Sequence, residues 1–105
     1  MTFEEFIEVI REDLLIIGKK YSEETFGDTE YKKKVDNVLS VLSAKQLRII
    51  KLRYGFGGEC FTLDEVATDF GTTREFARQL EAKALHTLSK PNLSKELRNL
   101  LPKED

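Results

Sequence analysis

The residues of this sequence with the clearest capacity for chemistry are four polar side chains, Arg74, Glu75, Arg78 and Gln79. Positions three and four apart share one face of a helix, so a helix through them would present these side chains together. Arg can donate two hydrogen bonds to guanine, Gln can pair with adenine, and Glu can accept a hydrogen bond from the amino group of cytosine. The set therefore indicates recognition of base edges in the major groove of DNA.

The segment before this set has the pattern of a short helix. Thr62 and Glu65 are spaced as a capping box, in which each side chain satisfies a free backbone amide near the other. An apolar pattern follows, formed by Leu63, Val66, Ala67 and Phe70. Gly71 then predicts the end of the helix, because many helices end in a left-handed residue, which glycine adopts without strain.

A longer helix, Thr73–Leu88, is predicted after the glycine. Thr72 and Glu75 have the spacing of a second capping box, and Pro91 lies just beyond the expected end of the helix. The apolar stripe of this helix consists of Ala77, Leu80, Ala84 and Leu88. Its opposite face carries Glu75, Arg78, Gln79, Ala82 and His86. The helix is therefore amphipathic, with a polar face that is free for a partner.

The two helices have the spacing of a helix-turn-helix. Ala67 is a small residue at the place where the helices cross, and Gly71 lies in the turn. Ala77 and Leu80 would seat the second helix against the first. A recognition helix uses its first turns to reach base edges in the major groove. Thr73 and Arg74, at the N-terminus of that helix, would lie where the partial positive charge and free amides favour a phosphate group.

The sequence from Leu42 to Pro91 closely resembles region 4 of bacterial primary-type RNA polymerase sigma factors. The motifs that carry the resemblance are LRYG-GGE, TL-EV, TRE--RQ-EAKAL and a closing L--P. The helix-turn-helix spacing and the helical patterns along the rest of the chain predict an all-α fold of five or six helices. The resemblance implies that the C-terminal helix-turn-helix is of the sigma region 4 type, to which an N-terminal helical pair is added.

The resemblance also implies roles for individual residues, with the recognition helix reading the promoter minus-35 element and the preceding helices docking on the flap of the polymerase β subunit. The residues expected to bind DNA are Thr72, Thr73, Arg74, Glu75, Arg78, Gln79 and Lys83. The residues expected to bind polymerase are Ile49, Leu52 and Arg53. For Ile49 and Leu52, the alternative is that residues 30–42 cover them.

The sequence departs from the family pattern in places that bear on DNA affinity. Phe76 stands where the family usually has a basic residue, and Ala77 stands where it usually has a β-branched one. After EAKAL the family usually has a strongly basic run, which is replaced here by His86, Thr87, Ser89 and Lys90. Because each lost phosphate contact removes about one unit of salt-dependent slope, we expect weaker DNA binding than that of a primary sigma domain.

Charge is distributed unevenly along the 105 residues, which are enough for one domain or for one domain with an appendage. The formal net charge of −2 combines −4 over residues 1–42 with +2 over residues 43–105. This change of sign favours a DNA-binding, region 4-like domain over residues 43–105 and a helical extension with a different use over residues 1–42. An accidental imbalance is the alternative.

No set of residues suggests catalysis, a metal site or a membrane span. One His and one Cys, without HxxxH or CxxC spacing, cannot form a metal cage. No apolar run approaches the roughly 20 residues of a membrane helix, and the N-terminus lacks the pattern of a signal peptide. We therefore expect a cytoplasmic, non-enzymatic protein without cofactors or membrane contact.

The N-terminal part is predicted to form a pair of helices. A capping box at Thr2 and Glu5 opens a helix to about Lys20, residues 21–29 form a loop, and a second helix spans residues 30–42. Leu15 and Ile16 lie off the apolar stripe of the first helix, so this helix is either packed deeply or in contact with another chain. Further helices are expected over residues 44–54 and 93–101.

These observations predict a transcription protein that binds double-stranded promoter DNA and the β flap of RNA polymerase. It would be either free-standing or a fragment of a larger sigma factor. Residues 1–42 would then offer a surface for a homodimer or for a second sigma-like subunit. The alternative function is a protein-interaction module or sigma competitor without specific DNA reading, which Phe76, Ala77 and the missing basic run favour and which the retained Arg74, Glu75, Arg78 and Gln79 oppose.

Overall fold

The computed structural model of the protein describes residues 1–24 and 29–102, and within those ranges its regular structure consists only of helices. In chain order the helices are α1 (Phe3–Glu23), α2 (Thr29–Leu39), α3 (Ala44–Arg53), α4 (Leu63–Phe70), α5 (Arg74–Leu88) and α6 (Pro91–Asn99). The predicted all-α fold of five or six helices is therefore confirmed.

The structure corrects the predicted boundaries of the first, second and last helices, and the second helix ends at Leu39 rather than at residue 42. α1 continues to Glu23 rather than ending near Lys20, so the beginning of the predicted loop is helical, and residues 25–28 of that loop lie outside the described residues. α6 begins at Pro91 rather than near Leu93. Proline is tolerated in the first turn because the backbone N–H that it lacks would have no helical partner there.

The turn between α4 and α5 completes the predicted helix-turn-helix. Gly71 ends α4 with a φ of 65° and a ψ of 39°, in the left-handed region. The amide of Thr72 donates a 2.9 Å hydrogen bond to the carbonyl of Ala67, as in a Schellman motif. Ala67 and Ala77 are both buried, as expected for the small residues on which the two helices cross.

Helix α5 lies at the centre of the fold and packs against α1, α3, α4 and α6. Its buried apolar side chains are Ala77, Ala84, Leu85 and Leu88. The same core includes Ile10, Leu14 and Ile17 of α1, and Leu97 of α6. One hydrophobic cluster thus contains side chains from residues 1–42 and from residues 43–105. The division of the chain into two units at residue 42 stays a prediction.

Helix α1 docks on the rest of the chain through a close approach of two backbones. A Cβ atom at Gly18 would overlap the carbonyl oxygen of Tyr54 and the ring of Phe56, so this position requires glycine. Leu15 and Ile16 remain 44% and 47% exposed. Packing within the described chain therefore leaves these two side chains uncovered.

Candidate nucleic-acid interface

The first turns of α5 expose all four of the predicted base-reading side chains. Arg78 donates to both carboxylate oxygens of Glu75, over 2.9 Å from Nε and 2.6 Å from Nη2. Gln79 Nε2 donates to Glu75 Oε1 over a longer 3.4 Å. The hydrogen bond from Arg78 lowers the pKa of the Glu75 carboxyl. Glu75 thereby orients two other members of the set.

The N-cap of α5 is Thr73 and not Thr72, which corrects the predicted capping box. Thr73 Oγ1 accepts a 3.1 Å hydrogen bond from the amide of Phe76. The third helical position is therefore Phe76, whose ring cannot return a hydrogen bond to the cap. As a result, the carboxylate of Glu75 takes no part in capping and pairs with Arg78 instead.

The remaining predicted DNA-binding residues flank this set. Arg74 Nε lies 3.5 Å from Asp64 Oδ1 of α4, and both side chains are largely exposed, so the pair contributes little to stability. Lys83 is exposed and follows Gln79 by four residues, on the same side of the helix. Thr72 is partly buried in the turn. The structure thus brings the predicted DNA-binding residues together at the turn and along one side of α5.

A buried carboxylate that sequence reasoning did not identify lies behind this face. Glu81 is only 2% exposed. Its Oε2 accepts a 2.8 Å hydrogen bond from Arg53 Nε, and its Oε1 accepts one of 3.4 Å from Arg11 Nη1. Arg11 Nη1 also donates to the hydroxyl of Tyr54 over 3.1 Å. Burial raises the pKa of the Tyr54 hydroxyl, and the charge of Glu81 raises it further. Through these hydrogen bonds the cluster joins α1 and α3 to α5.

The structure corrects the predicted polymerase-binding set. Ile49 is completely buried, and it belongs to the same hydrophobic core cluster as Ile50. Ile49 therefore cannot contact a partner in this fold. Arg53 is bound to Glu81 and also donates a 2.9 Å hydrogen bond to the carbonyl of Phe61, which gives it a structural role. Of the three predicted residues, only Leu52 is partly exposed and free of such bonds.

Leu52 lines an open groove between α3 and α4. Phe61 and Val66 complete the apolar part of its lining, and its polar residues are Glu65, Thr68 and Asp69. Arg48 Nη2 lies 2.6 Å from Asp69 Oδ2 at this edge of the molecule. A groove of this kind suits the apolar face of a partner helix.

A second open cleft separates the beginning of α1 from α5. The lining from α1 consists of Phe3, Glu4, Glu5, Ile7, Glu8 and Arg11, and the lining from α5 consists of Arg78, Ala82, Leu85 and His86. The ring centroids of Phe3 and His86 are 5.7 Å apart, with an interplanar angle of 58°. Part of the polar face of α5 therefore lies beside α1, which sequence reasoning did not anticipate.

Neither a metal site nor a membrane helix is found in residues 1–24 and 29–102. No group of three His, Cys, Asp or Glu side chains in these ranges is placed to hold a metal ion. No helix there is long and apolar enough to cross a membrane. The single cysteine, Cys60, is exposed.

The fold and the exposed polar face of α5 together define a helix-turn-helix domain. A family model described as Sigma-70, region 4 matches residues 38–90. The chain therefore belongs to the sigma-70 region 4 family, as a sigma-like transcription domain. The resemblance over residues 42–91 is confirmed, and the family match begins slightly earlier, inside α2.

Three sigma factors are similar to this chain over the same length. They are the RNA polymerase sigma factors SigA of Listeria monocytogenes serovar 1/2a, Listeria innocua serovar 6a and a Bacillus species. Each is 42% identical over 71 residues, which are 67% of this chain. The matched part spans only 19% of the length of each relative.

Proposed function

We propose that this chain binds promoter DNA through α5 and RNA polymerase through the groove between α3 and α4. The observation that carries the proposal is the exposed set of Glu75, Arg78 and Gln79 on a helix that is packed against four neighbours. A major-groove reader needs polar side chains that are held in place on one exposed helix face. Membership of the sigma-70 region 4 family supports the same role.

In this proposal the residues of α5 divide between the bases and the backbone of a minus-35-like element. Glu75, Arg78 and Gln79 would meet base edges, because they lie on the exposed face of the first turns. Thr73 and Arg74 would meet phosphate at the helix N-terminus, where free amides favour an anion. Thr72 would contact the backbone from the turn, and Lys83 would do so from further along the helix.

The polymerase contact is proposed at the groove that contains Leu52. Its apolar walls would receive an apolar helix segment of the β flap. The similarity to RNA polymerase sigma factors supports polymerase as the partner. The role proposed is non-enzymatic and cytoplasmic and needs no cofactor. The exposed Leu15 and Ile16 of α1 would serve contact with a second copy of the chain or with another sigma-like subunit.

A specific observation also favours the second candidate function, a protein-interaction module that does not read DNA. Phe76, in the first turn of α5, is 45% exposed. An aromatic ring at this position cannot neutralise a phosphate, whereas exposed aromatic side chains are common in protein interfaces. In this alternative, the chain would bind polymerase or another protein and would compete with a sigma factor.

Two binding measurements separate the candidates. The first compares the affinity of the chain for a labelled minus-35-like duplex and for a scrambled duplex over a range of salt concentrations. The proposed function requires tighter binding to the minus-35-like duplex, with an affinity that falls as salt rises. The second tests whether the immobilised chain retains purified RNA polymerase. Retention of polymerase without any preference between the duplexes would support the interaction module instead.

A further inference from the structure

The cleft between α1 and α5 places acidic side chains beside the face that would read DNA. Glu4, Glu5 and Glu8 line it from α1, and Arg78 of the proposed base-reading set lines it from α5. Arg11 also lines the cleft and pairs with Glu8 over 3.3 Å, so three carboxylates face it from α1 with one arginine. DNA docked on a recognition helix brings phosphate groups alongside that helix. Carboxylates in the same cleft would repel those phosphates and occupy part of their space.

Direct contact closes one end of this cleft. The ring of Phe3 packs against the ring of His86, with a centroid distance of 5.7 Å. His86 belongs to the same helix face as Arg78 and Ala82. The first turn of α1 therefore touches the end of the face that lies furthest from the turn of the helix-turn-helix, although Ala82 and His86 there remain exposed.

The beginning of α1 is held far less firmly than the remainder of the helix. None of residues 1–9 is buried, whereas Ile10, Leu14 and Ile17 are completely buried. Just beyond residue 9, Arg11 anchors α1 to the buried carboxylate of Glu81. Phe6 and Ile7 still pack partly buried against the core. A local transition that moves residues 3–9 away from α5 therefore costs those contacts but none of the fully buried ones, and it has a lower stability than the rest of α1.

From this arrangement we propose that residues 3–9 form an acidic cover that DNA must displace from α5. The proposal rests on the proposed function, because it concerns access to the same helix face. In the covered state, the carboxylates of α1 take the place that phosphate groups take in the DNA complex. The cover thereby lowers the affinity of the free chain for every DNA sequence, whatever its preference among sequences.

The first test removes the charge of the cover. The variant Glu4→Gln/Glu5→Gln/Glu8→Gln keeps the capping box, because Gln can replace Glu in it. The matched control, Glu23→Gln/Glu30→Gln/Glu96→Gln, changes the net charge equally at exposed positions that do not line the cleft. At low salt the cover variant should bind both minus-35-like and scrambled duplexes about tenfold more tightly than the control does.

The second test observes the displacement itself by hydrogen exchange. Backbone amides of residues 6–9 should exchange faster when the wild-type chain is saturated with DNA, while those of residues 13–17 remain protected. Phe3→Ala removes the contact with His86 without changing the charge. This variant should show the faster exchange at residues 6–9 in the absence of DNA, together with tighter DNA binding.

The outcomes distinguish the cover from the proposed function. If the cover variant and the control bind DNA equally while the wild type prefers the minus-35-like duplex, the cover is refuted and the proposed function stands. If the cover variant gains equally on both duplexes and neither is preferred, the cover stands and sequence reading fails. If no variant binds any duplex, or if DNA increases the protection of residues 6–9, the cover is refuted.

Discussion

Arg53 of α3 and Glu81 of α5 form a partly buried ion pair, with 2.8 Å between Nε and Oε2. Arg11 of α1 reaches the other oxygen of the same carboxylate. One side chain on the recognition helix therefore connects it to two other helices. The direction in which the exposed face of α5 points depends on this buried cluster as well as on apolar packing.

Removal of this carboxylate should destabilise the fold. Glu81→Ala leaves two arginine side chains partly buried without their anion, at an expected cost of about 3 kcal/mol in the free energy of unfolding. Urea denaturation followed by circular dichroism measures the change. The control is Glu75→Ala on the exposed face of the same helix, which should alter the stability little. An effect of Glu81→Ala no larger than that of the control would contradict a structural role for the cluster.

Gly18→Ala should destabilise the protein, although Ala in a helix interior is normally more stable than Gly by about 1 kcal/mol. The added Cβ would overlap the carbonyl oxygen of Tyr54, and relief requires α1 to shift, at a cost of about 1–3 kcal/mol. The midpoint of thermal unfolding reports the result, with Lys19→Ala as an exposed neighbouring control. A higher midpoint for Gly18→Ala would show that α1 does not approach Tyr54 this closely.

Asp13 should make the stability depend on pH. Burial raises the pKa of the Asp13 carboxyl above its ordinary value of 3.8, although the nearby Arg98 opposes the shift. Arg98 Nε lies at a long 3.6 Å from Oδ2, and that oxygen has no hydrogen-bond partner within the described residues. The folded state therefore favours the protonated form of Asp13. The stability that Asp13 contributes is complete below about pH 3.8 and is lost as the pH rises through its folded-state pKa.

Asp13→Asn should consequently raise the stability at neutral pH by about 1 kcal/mol, because it removes a buried and poorly paired charge. The gain over the wild type should shrink as the pH falls towards 4. Denaturation at several pH values checks this difference. Glu12→Gln, at the exposed neighbouring position, is the control. A gain for Asp13→Asn that stayed constant over the whole pH range would argue against titration of Asp13 as its cause.

Glu75→Ala should relax the choice between DNA sequences. A carboxylate that contacts a base changes the affinity between the right and the wrong base pair by roughly tenfold or more. The same carboxylate repels the nearby phosphate groups, so its loss should also raise the affinity for a scrambled duplex. Binding to a panel of duplexes with single base changes measures the ranking. Lys83→Ala is the contrasting variant, since the loss of a phosphate contact should weaken all sequences alike and reduce the salt slope by about one. An unchanged ranking in Glu75→Ala would exclude direct reading by this residue.

Leu52→Glu should weaken the retention of RNA polymerase while the helical content stays unchanged, because it places a charge in an apolar groove that is open to solvent. Val41→Glu, at an exposed position outside the groove, should retain polymerase normally. Ile49→Glu should instead unfold the domain, since it would bury a charge in the core. Full retention by folded Leu52→Glu would remove the groove from the proposed interface.

The sequence alone determined the helix-turn-helix and the family. Its signals are local: the cap at Thr62, the left-handed Gly71 and the apolar stripe of the second helix all act within a few residues of one another. The exposed set of Glu75, Arg78 and Gln79 followed from the same helical periodicity. The structure decided which of the two adjacent threonines is the N-cap of α5. The amide of Thr72 closes the preceding turn by its hydrogen bond to the carbonyl of Ala67, and Thr73 caps the helix.

Only the tertiary structure decided which predicted faces are covered. Glu81 falls on the buried stripe between Ala77 and Ala84, but its partner Arg11 is 70 residues away in the sequence. The burial of Ile49, the binding of Arg53 and the position of α1 beside α5 depend on contacts of the same long-range kind. Periodicity shows that a helix has two faces, but it does not show which other element packs on each, because that depends on how all the helices share one core.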